Sequence, residues 1–377
     1  MIRISLFLLM KDNRMERFVV VMRKGFLSMV LLNFVSIPIV AGALLLNGCG
    51  EKVSTEEFQV ESIENTESVS SETTKRKAND VMGEFCHGVN WFDASKEHVL
   101  YYEGGEMKIP YRMKGSGIGA SAGFLLFVDG EAQPYKIDGE EEYKYMHVIT
   151  GKEDKEKTFT ITFTPLNGKK GDQSKVKIVG LVNPTFMPDM IETFAYGNNH
   201  SILESSYDLV CKENAGEMVE TRDSRKLIAD SSQQEEDIDK DLEAKLKEFQ
   251  LGDLDLENRV TSYMEYNNDP ETFGMANLDI TGLDKLHVTY VMMGHPNMIY
   301  RVHFYLNHQL VTLEDGSDYT IELKKGKQTK IEFDLDVSGL EEGSFYAVEV
   351  PVNEEDYPDD EQIGTNKEDT VYFYRRE

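Results

Sequence analysis

Alternation of apolar and polar residues is the main pattern of the chain from residue 84 onward. At 158–165 the sequence reads TFTITFTP, so Phe159, Ile161 and Phe163 point to one face of an extended segment and the threonines to the other. Similar short runs rich in β-branched and aromatic residues are bounded by Gly, Asp, Asn or Pro, and Asp129-Gly130 suits a tight hairpin turn. The pattern predicts a mainly-β fold of many short strands.

The order of strands and turns in the first half of this region recurs in the second half. Three segments correspond in the same order, 106–115 with 284–294, 124–137 with 302–315, and 157–184 with 329–354. Two copies of one module explain this repeat. The pattern resembles the immunoglobulin-like modules of bacterial surface proteins, including the cell-adhesion-related type. The resemblance implies two β-sandwich domains, at 84–214 and 263–377.

Residues 215–262, between the two predicted domains, are highly charged and predict a linker with one α-helix at about 233–250. Ser232 with Glu235 has the spacing of a capping box, and Gly252 can end the helix. The apolar residues of the helix recur at intervals of three and four, at Ile238, Leu242, Leu246 and Phe249. We expect this helix to pack against a domain edge or to span the gap between the domains.

The start of the chain carries an export signal. An uncharged apolar run at 26–46 follows the basic pair Arg23-Lys24, which is the order of the n-region and h-region of a signal peptide. The run ends in Leu-Asn-Gly-Cys at 46–49. This ending resembles the lipobox of bacterial lipoproteins in position, order and context.

The lipobox resemblance implies that the thiol of Cys49 receives a diacylglycerol and that residues 1–48 are removed. Met22, directly before the basic pair, is an alternative start of translation. An uncleaved transmembrane helix is the other interpretation of the apolar run, because about 20 apolar residues can cross a hydrocarbon core ~30 Å thick. Basic residues before the run keep that end in the cytoplasm, so both interpretations place residues 50–377 outside the cell.

Residues 49–83 predict a flexible tether between the lipid and the first domain. They are rich in Ser, Thr, Glu and Lys and poor in aromatic residues, so they cannot bury enough apolar surface to offset chain entropy. A flexible chain of this length spans roughly 30–35 Å. The expected location is the outer face of the cytoplasmic membrane of a bacterium with a single-membrane envelope.

The net charge of the chain is strongly negative. The whole chain has 40 Lys and Arg against 68 Asp and Glu, or −28; removal of residues 1–48 takes away six basic and two acidic residues and leaves 34 against 66, or −32. An acidic surface repels phosphate polymers, so a nucleic acid partner is not expected, and a basic peptide or a metal cation is electrostatically easier to bind. A solvated surface that keeps the protein soluble explains the same charge.

Two cysteines remain after lipidation of Cys49. Cys86 and Cys211 lie near the two ends of the first predicted domain, and outside the cell such a pair is free to oxidise to a disulfide. Two buried thiols that never meet are the alternative, because sequence does not show whether their Cα atoms approach within ~7 Å. Trp91 does not have the spacing of the antibody pattern of cysteine, tryptophan and cysteine.

The eight histidines are scattered and none belongs to an HExxH pair, so no metal site is predicted. His303 and His308 straddle a predicted hairpin turn, and we expect both to be exposed strand residues. The acidic stretch 353–360 lacks the aspartate spacing and central glycine of an EF-hand calcium loop. We expect that stretch to be a solvated loop.

A glycine-rich loop with Gly115, Gly117 and Gly119 is the candidate binding loop. It leads into a strand, whereas a phosphate-binding loop leads into a helix N-terminus, so neither a dinucleotide nor a phosphate site is predicted. At one end of a β-sandwich such a loop can contact a ligand. Trp91 is the aromatic residue that we add to this candidate site.

No nucleophile and base stand in a known catalytic spacing in the sequence, and the adjacent Cys86 and His87 should point to opposite faces of a strand. We therefore predict no catalytic residue and no cofactor. The expected function is non-catalytic binding, adhesion or scaffolding by a lipoprotein whose ligand is a protein, peptide or glycan near the membrane. The alternatives are a carbohydrate-binding surface module, an accessory lipoprotein of an exporter or sensor, and an envelope hydrolase without a sequence signature.

Overall fold

The computed structural model of the chain describes residues 2–11, 14–24, 83–90, 99–188, 199–216, 224–226, 231–250, 255–272, 275–313, 319–358, 360 and 363–376. The chain divides into two compact units, residues 1–75 with 245–253 and residues 76–244 with 254–377. In the first unit, β1 (Ile2–Lys11) and β2 (Arg14–Lys24) pair in antiparallel fashion. Cys49, the apolar run and the tether lie outside the described residues. Within the described ranges, no helix is both long enough and apolar enough to span a bilayer.

The first sandwich consists of two sheets. Its strands are β3 (Phe85–Val89), β4 (Val99–Tyr102), β5 (Met107–Gly115), β6 (Ser121–Val128), β7 (Glu131–Ala132), β8 (Lys136–Ile137), β9 (Met146–Thr150), β10 (Lys157–Phe163), β11 (Gln173–Val182) and β12 (Ile202–Cys211). One sheet has the order β3-β5-β10-β8, and the other has the order β4-β12-β11-β6-β7, with β9 also paired to β6. A single 3-10 turn, Gly117–Ala120, precedes β6.

The second sandwich also consists of two sheets. Its strands are β13 (Ser224–Lys226), β14 (Ser232–Asp237), β15 (Val260–Tyr266), β16 (Asn277–Asp279), β17 (Lys285–Gly294), β18 (Ile299–Leu306), β19 (Gln309–Thr312), β20 (Tyr319–Glu322), β21 (Lys327–Asp336), β22 (Glu342–Pro351), β23 (Asn366–Lys367) and β24 (Val371–Tyr374). The sheet orders are β14-β21-β17-β15 and β13-β19-β18-β22-β24-β16, with β20 on β18 and β23 on β22. The chain also forms helix α1 (Lys240–Gln250) and 3-10 turns at Pro270–Thr272 and Glu354–Asp356.

Both sandwiches have the strand order of an immunoglobulin-like fold, in which strands A, B, E and D form one sheet and G, F and C form the other. In the first sandwich, β3, β5, β10 and β8 take the A, B, E and D places, and β12, β11 and β6 take the G, F and C places. In the second, β15, β17, β21 and β14 correspond to the first group, and β24, β22 and β18 to the other. The predicted mainly-β fold of two immunoglobulin-like sandwiches is confirmed.

Strand direction repeats along with strand order. The antiparallel pairs β3–β5, β5–β10, β11–β12, β6–β11, β6–β7 and β6–β9 recur as β15–β17, β17–β21, β22–β24, β18–β22, β18–β19 and β18–β20. The parallel pair β4–β12 recurs as β16–β24. The repeat visible in the sequence is therefore present in the strand pairing as well.

The alternating strand at 158–165 faces the core of the first sandwich as its pattern predicts. Phe159, Ile161 and Phe163 are 5%, 0% and 0% exposed. The ring of Phe159 on β10 lies with its centroid 5.4 Å from that of Phe124 on β6, in the opposite sheet. Burial of each such side chain stabilises the fold by about 1.5–3 kcal/mol.

Two-residue turns join the C strand of each sandwich to its neighbour. Asp129 and Gly130 have φ angles of 51° and 79° between β6 and β7, the left-handed values that a tight hairpin requires. Asn307 and His308 have φ angles of 49° and 66° between β18 and β19. Glycine is favoured at the second position of such a turn, so the histidine holds a strained backbone there.

Helix α1 begins later than the sequence pattern predicts. It starts at Lys240, and Asp239 caps it, because Oδ1 of Asp239 accepts a hydrogen bond from the backbone N of Leu242 at 2.7 Å. The expected capping box of Ser232 with Glu235 is therefore wrong. Both residues belong to β14, whose backbone pairing along the whole of the strand outweighs the local helical pattern.

The predicted linker contributes strands to the second sandwich. β14 pairs with β21 in the D place, which β8 fills in the first sandwich, and β13 runs parallel to β19 in the other sheet. Opposite charges explain how so polar a segment forms a strand, since Glu236 of β14 meets Lys330 of β21 at 2.6 Å and Asp237 meets Lys327 at 2.7 Å. β15 also begins at Val260, within the range that we predicted as linker.

No disulfide joins Cys86 and Cys211, so of the two alternatives that the sequence left open, the disulfide is wrong. Cys86 lies on β3 in register with Lys114 and is exposed, whereas Cys211 ends β12 in the opposite sheet and is 1% exposed within the core. One side chain points out of the sandwich and the other into it. That geometry excludes a sulfur–sulfur bond, which requires Cβ atoms about 4 Å apart.

We expect mass spectrometry of the unreduced protein to show both cysteines as thiols. Burial raises the pKa of Cys211, so a thiol reagent should label exposed Cys86 at least ~10-fold faster in the native protein. Unfolding should make the two rates similar, and Cys86→Ser should remove the fast reaction. A peptide pair linked through Cys86 and Cys211 would contradict the structure.

Candidate functional site

Four strands of the two sandwiches bury apolar side chains on both faces. β6 and β11 of the first sandwich and β18 and β22 of the second bury one face in their own cores. Side chains on their other faces, together with four residues from neighbouring segments, form one further buried cluster, which we call the junction. The junction is composed of Leu125, Phe127, Val179, Leu181, Tyr305, Tyr346, Val348 and Val350 from these strands and of Ala132, Tyr145, Met146 and Leu310 from the neighbouring segments. The two sandwiches therefore pack sheet against sheet through their C and F strands.

The turn after each C strand makes a reciprocal contact with the other module. The carbonyl oxygen of Gly130 accepts a hydrogen bond from Nε2 of His303 at 2.6 Å, and a Cβ atom at Gly130 would collide with the side chain of Val352. In the other direction, Nε2 of His308 donates to the carbonyl oxygen of Pro184 at 2.6 Å. Pro184 follows β11 as Val352 follows β22. The strained backbone of His308 is compensated by this contact.

A buried ion pair crosses the junction. Lys177 on β11 is 1% exposed, and its Nζ lies 2.5 Å from Oε2 of Glu354 in the second module and 3.5 Å from Oε1 of Glu204 in the first. The other oxygen of Glu204 accepts a hydrogen bond from the backbone N of Thr365 at 2.9 Å. Removing one partner from a buried ion pair leaves a charge without compensation, so this group is sensitive to substitution. Glu354 belongs to the stretch 353–360, which we predicted as a solvated loop.

Two histidines meet at the carbonyl oxygen of Pro184. Nε2 of His200 lies 3.0 Å from that oxygen and Nε2 of His308 lies 2.6 Å from it, and the ring centroids are 5.5 Å apart. Nδ1 of His308 is 3.0 Å from the hydroxyl of Tyr346. Burial lowers the pKa of His200 to about 3 and that of His308 to about 4. Both rings are therefore neutral at neutral pH.

A carboxyl group lies fully buried inside the second sandwich. Glu349 on β22 is 0% exposed, Oε1 accepts a hydrogen bond from the hydroxyl of Tyr290 at 2.7 Å, and Oε2 accepts one from Nδ2 of Asn366 at 2.8 Å. Burial raises the pKa of Glu349, and these donors oppose the rise. The carboxyl group connects β17, β22 and β23 at one end of the core.

Glu368 lies beside this carboxyl group and is half-buried. Its Oε2 accepts a hydrogen bond from Oγ of Ser262 at 2.7 Å. Burial, followed by the effect of the neighbouring Glu349, raises the pKa of Glu368 to about 8. Burial lowers the pKa of Lys367 to about 8, and its Nζ donates to the backbone oxygen of Glu368 at 2.7 Å. Glu368 and Lys367 therefore both have a pKa of about 8.

His87 is a half-buried histidine within the first sandwich. Its Nδ1 lies 2.6 Å from the hydroxyl of Tyr111, and its Nε2 lies 2.9 Å from the backbone oxygen of Leu203. Burial lowers the pKa of His87 to about 4. Cys86 points to the exposed face, so the two side chains lie on opposite sides of β3 as their adjacency predicts. They do not form a nucleophile and base pair.

The candidate binding loop is packed against the entry strand of the first sandwich. Gly115 and Gly119 are buried, and a Cβ atom at either residue would collide with backbone atoms, including the carbonyl oxygen of Glu84. Gly117 is exposed and has a φ angle of 53°. The glycines therefore permit a close approach of three backbone segments. Trp91, the aromatic residue of the predicted site, lies outside the described residues.

The predicted exposure of His303 and His308 is wrong. His303 is 2% exposed and His308 is half-buried, because the second sheet face of β18 is covered by the first module. In the acidic stretch, Oδ2 of Asp360 lies 3.1 Å from Nε2 of His295. Within the part of the chain that the structure describes, no three His, Cys, Asp or Glu side chains are grouped to hold a metal ion.

A shallow groove lies between the edges of β14 and β20. Its volume is about 270 Å³, and it is lined by Gln233, Gln234, Glu235, Thr320, Glu322, Lys324 and Thr329. Nε2 of Gln233 donates across it to the backbone oxygen of Thr320 at 3.1 Å, and Lys324 pairs with Glu235 at 2.6 Å. The lining residues are polar, and the charges of Lys324 and Glu235 neutralise each other. None of the sequence-predicted site residues lies in it.

Sequence analysis did not identify as site residues the polar groups beside the junction, Lys177, His200 and His308, or the buried Glu349 of the second sandwich. None of the four has a motif spacing, yet one signal was available. The runs FLLFV at 124–128 and FYAVEV at 345–350 are apolar at nearly every position, which is the pattern of strands that are buried on both faces. These groups hold strands together, and the hydrogen bonds described above are made within the protein.

Replacing Lys177 with Met should lower the free energy of unfolding by about 2–4 kcal/mol, because Glu204 and Glu354 would face each other without a cation. Urea denaturation at neutral pH measures the change. Lys175→Met is the matched control on the same strand, where a pair with Asp208 is 37% exposed on the lysine side and should contribute less than about 1 kcal/mol. Equal effects of the two substitutions would contradict the importance of the buried pair.

Glu368→Gln should weaken the dependence of the free energy of unfolding on pH between about pH 4.5 and pH 8. The folded pKa of about 8 lies above the ordinary value of 4.5, so the protonated group stabilises the fold fully below pH 4.5, and this contribution is lost as pH rises through 8. Relative to the variant, the wild type should lose up to about 1.4 kcal/mol per pH unit in that window. Glu342→Gln, at an exposed position of β22, is the control and should follow the wild type.

No family model matches the sequence, and no curated protein matches it. Similar solved structures include the CsuC–CsuE chaperone–tip adhesion subunit complex of Csu pili from Acinetobacter baumannii, with 10% identity, a TM-score of 0.16, and coverage of 74% of this chain and 95% of that chain. A Porphyromonas gingivalis W83 protein of unknown function has 10% identity, a TM-score of 0.19, and coverage of 76% and 99%. Dpr2 Ig1-Ig2 in complex with DIP-Theta Ig1-Ig3 has 8% identity, a TM-score of 0.20, and coverage of 78% and 65%. The strand order and pairing of the two sandwiches define the immunoglobulin-like fold.

Proposed function

We propose that this chain is an extracytoplasmic lipoprotein, anchored through Cys49 to the outer face of a bacterial cytoplasmic membrane, whose two modules form a non-catalytic binding or scaffolding unit. The lipobox-like ending at 46–49, directly after the apolar run, supports the anchor. The observation that carries the binding role is the junction, which buries the C and F strands of each module against the other.

The junction favours recognition over chemistry. A sheet-to-sheet contact with a buried ion pair and shared hydrogen bonds holds the two modules as one body, so loops from both modules present a fixed surface. The polar side chains of Lys177, Glu349 and His308 have their partners inside the protein. A catalytic group must instead reach a substrate in a cleft.

The partner that fits this proposal is a protein or peptide segment near the membrane. A tether of the length of 49–83 spans roughly 30–35 Å, which keeps the first module close to the lipid surface. Without residues 1–48 the chain has 34 basic and 66 acidic residues, and this net charge of −32 attracts a basic segment and repels anionic polymers. The function is thus to hold such a partner at the cell surface.

Metabolic labelling with an alkyne palmitate analogue tests the anchor. We expect the wild type to incorporate label and to fractionate with membranes, and Cys49→Ser to lose both properties. Cys86→Ser is the matched control, because that cysteine lies on an exposed strand face and should leave both properties intact. Label retained by Cys49→Ser, or a wild type found in the cytosol, would contradict the proposal.

Crosslinking in intact cells tests the binding role separately. We expect one reproducible membrane-proximal partner whose crosslinks map to loops of the two modules, and we expect its yield to fall when Cys49→Ser releases the protein from the membrane. Mass spectrometry identifies both the partner and the crosslinked residues. Turnover of a glycan or peptide by the purified protein would show instead that the body is catalytic.

A further inference from the structure

The shared carbonyl of Pro184 joins the two modules through neutral histidines. His200 and Pro184 belong to the first module and His308 to the second, so the hydrogen bond from His308 at 2.6 Å crosses the junction. The bond from His200 at 3.0 Å uses the other lone pair of the same oxygen. A carbonyl oxygen has two lone pairs, so this acceptor is saturated.

With both rings neutral, each ring nitrogen has a hydrogen-bond partner in the orientation that the structure allows. Each Nε2 donates, so each neutral ring keeps its lone pair on Nδ1. Nδ1 of His308 faces the hydroxyl of Tyr346 at 3.0 Å, and Nδ1 of His200 faces Thr370 Oγ1 at 3.2 Å and the hydroxyl of Tyr372 at 3.3 Å. A proton added at Nδ1 turns an acceptor into a donor, and these hydroxyls must then reorient.

Protonation of His200 and His308 would also place positive charges from both modules close together in a buried position. Nζ of Lys367 lies 2.9 Å from Thr370 Oγ1 and 5.0 Å from the ring centroid of Tyr346, which places it beside both histidines. Among the residues that the structure describes, the other titratable groups in contact with the pair are the phenols of Tyr346 and Tyr372, which supply no negative charge in acid. The described part of the first module contributes Phe186 and a backbone carbonyl to this contact, both uncharged. Two imidazolium rings here would repel each other and the ammonium group.

We propose that the junction is an acid-operated joint, in which protonation of His200 and His308 separates the two modules and uncovers the apolar sheet faces between them. Each sandwich keeps its own core, because the junction cluster is distinct from the two core clusters. Separation transfers both rings to water, where the imidazolium form is well solvated. The uncovered faces include Tyr305 and Tyr346, which are 1% and 0% exposed in the closed form.

The direction of the effect follows from proton binding. The closed form lowers the pKa of His200 to about 3 and of His308 to about 4, mainly through burial and with help from Lys367, whereas the ordinary value is 6.5. The neutral rings stabilise the closed form fully above pH 6.5, and this contribution is lost as pH falls towards 4. Near pH 5 each histidine should shift the ratio of open to closed molecules by about 30-fold relative to pH 8.

Hydroxyl-radical footprinting of the full chain, read by mass spectrometry from pH 8 down to about pH 4.5, tests the proposal. We expect oxidation of Tyr305 and Tyr346 to rise as the pH falls through this range. Phe124 and Phe304, which are 0% and 1% exposed inside the two cores, should stay protected throughout. Junction residues that stay protected at every pH would overturn the proposal, as would a simultaneous rise at the core residues, because the latter shows global unfolding.

The variant His200→Gln with His308→Gln separates the histidines from other acid-sensitive contacts. Glutamine can donate to the same carbonyl and does not titrate, so this variant should keep the junction closed at about pH 4.5. Opening of the double variant at the wild-type pH would assign the effect to groups other than the two histidines, such as the ion pairs of Lys177 and Arg301, and would overturn the proposal. His287→Gln, at a half-buried pair with Asp334 on the outer sheet, is the control and should open like the wild type.

A single substitution keeps the test decisive if the double variant does not fold. His308→Gln alone retains a donor to Pro184 and removes one of the two titrating groups. It should reduce the shift of the open-to-closed ratio near pH 5 by about 30-fold. A footprint identical to that of the wild type at each pH would exclude a role for His308 in opening.

Discussion

The contact between two sheet faces at the junction is the constraint on which the rest of the molecule depends. An immunoglobulin-like sandwich needs one apolar face per sheet, but β6, β11, β18 and β22 each have two. In a separated module, Phe127, Tyr346 and Val348 would lie on an open apolar surface, at a cost of about 25 cal/mol per Å². The polar groups of the junction depend on the same contact, because the 2.5 Å ion pair of Lys177 with Glu354 and the hydrogen bond of His308 to Pro184 each join the two modules.

Much of the fold could be predicted because its signals are local. The alternation at 158–165 and the Asp129-Gly130 turn specify strands and a hairpin through backbone geometry alone, and the repeat extends this to a second module. The helix start could not be predicted, since Ser232 and Glu235 have a capping-box spacing but pair with a strand 90 to 100 positions later in the chain. Long-range pairing overrode local preference there.

The site itself could not be predicted because its partners are far apart in sequence. Lys177 meets Glu354 across 177 positions, and His303 meets Gly130 across 173. The double-sided apolar runs show that something covers these strands, but not what covers them. His308 is an example, since a histidine in a tight turn is predicted to be exposed unless the surface of the other module that covers it is known. Packing between folded modules, rather than secondary structure, decides its environment.

β14, the D strand of the second sandwich, determines where this module can be cut or transferred as a unit. The D place beside β21 is filled from the chain before the module, whereas the first sandwich fills it from within. A genetic cassette that begins at β15 would therefore encode a sandwich with an unpaired edge, prone to recruiting strands from other chains. The transferable unit begins no later than Ser232, so recombination breakpoints and expression boundaries belong upstream of the segment that looks most like a spacer.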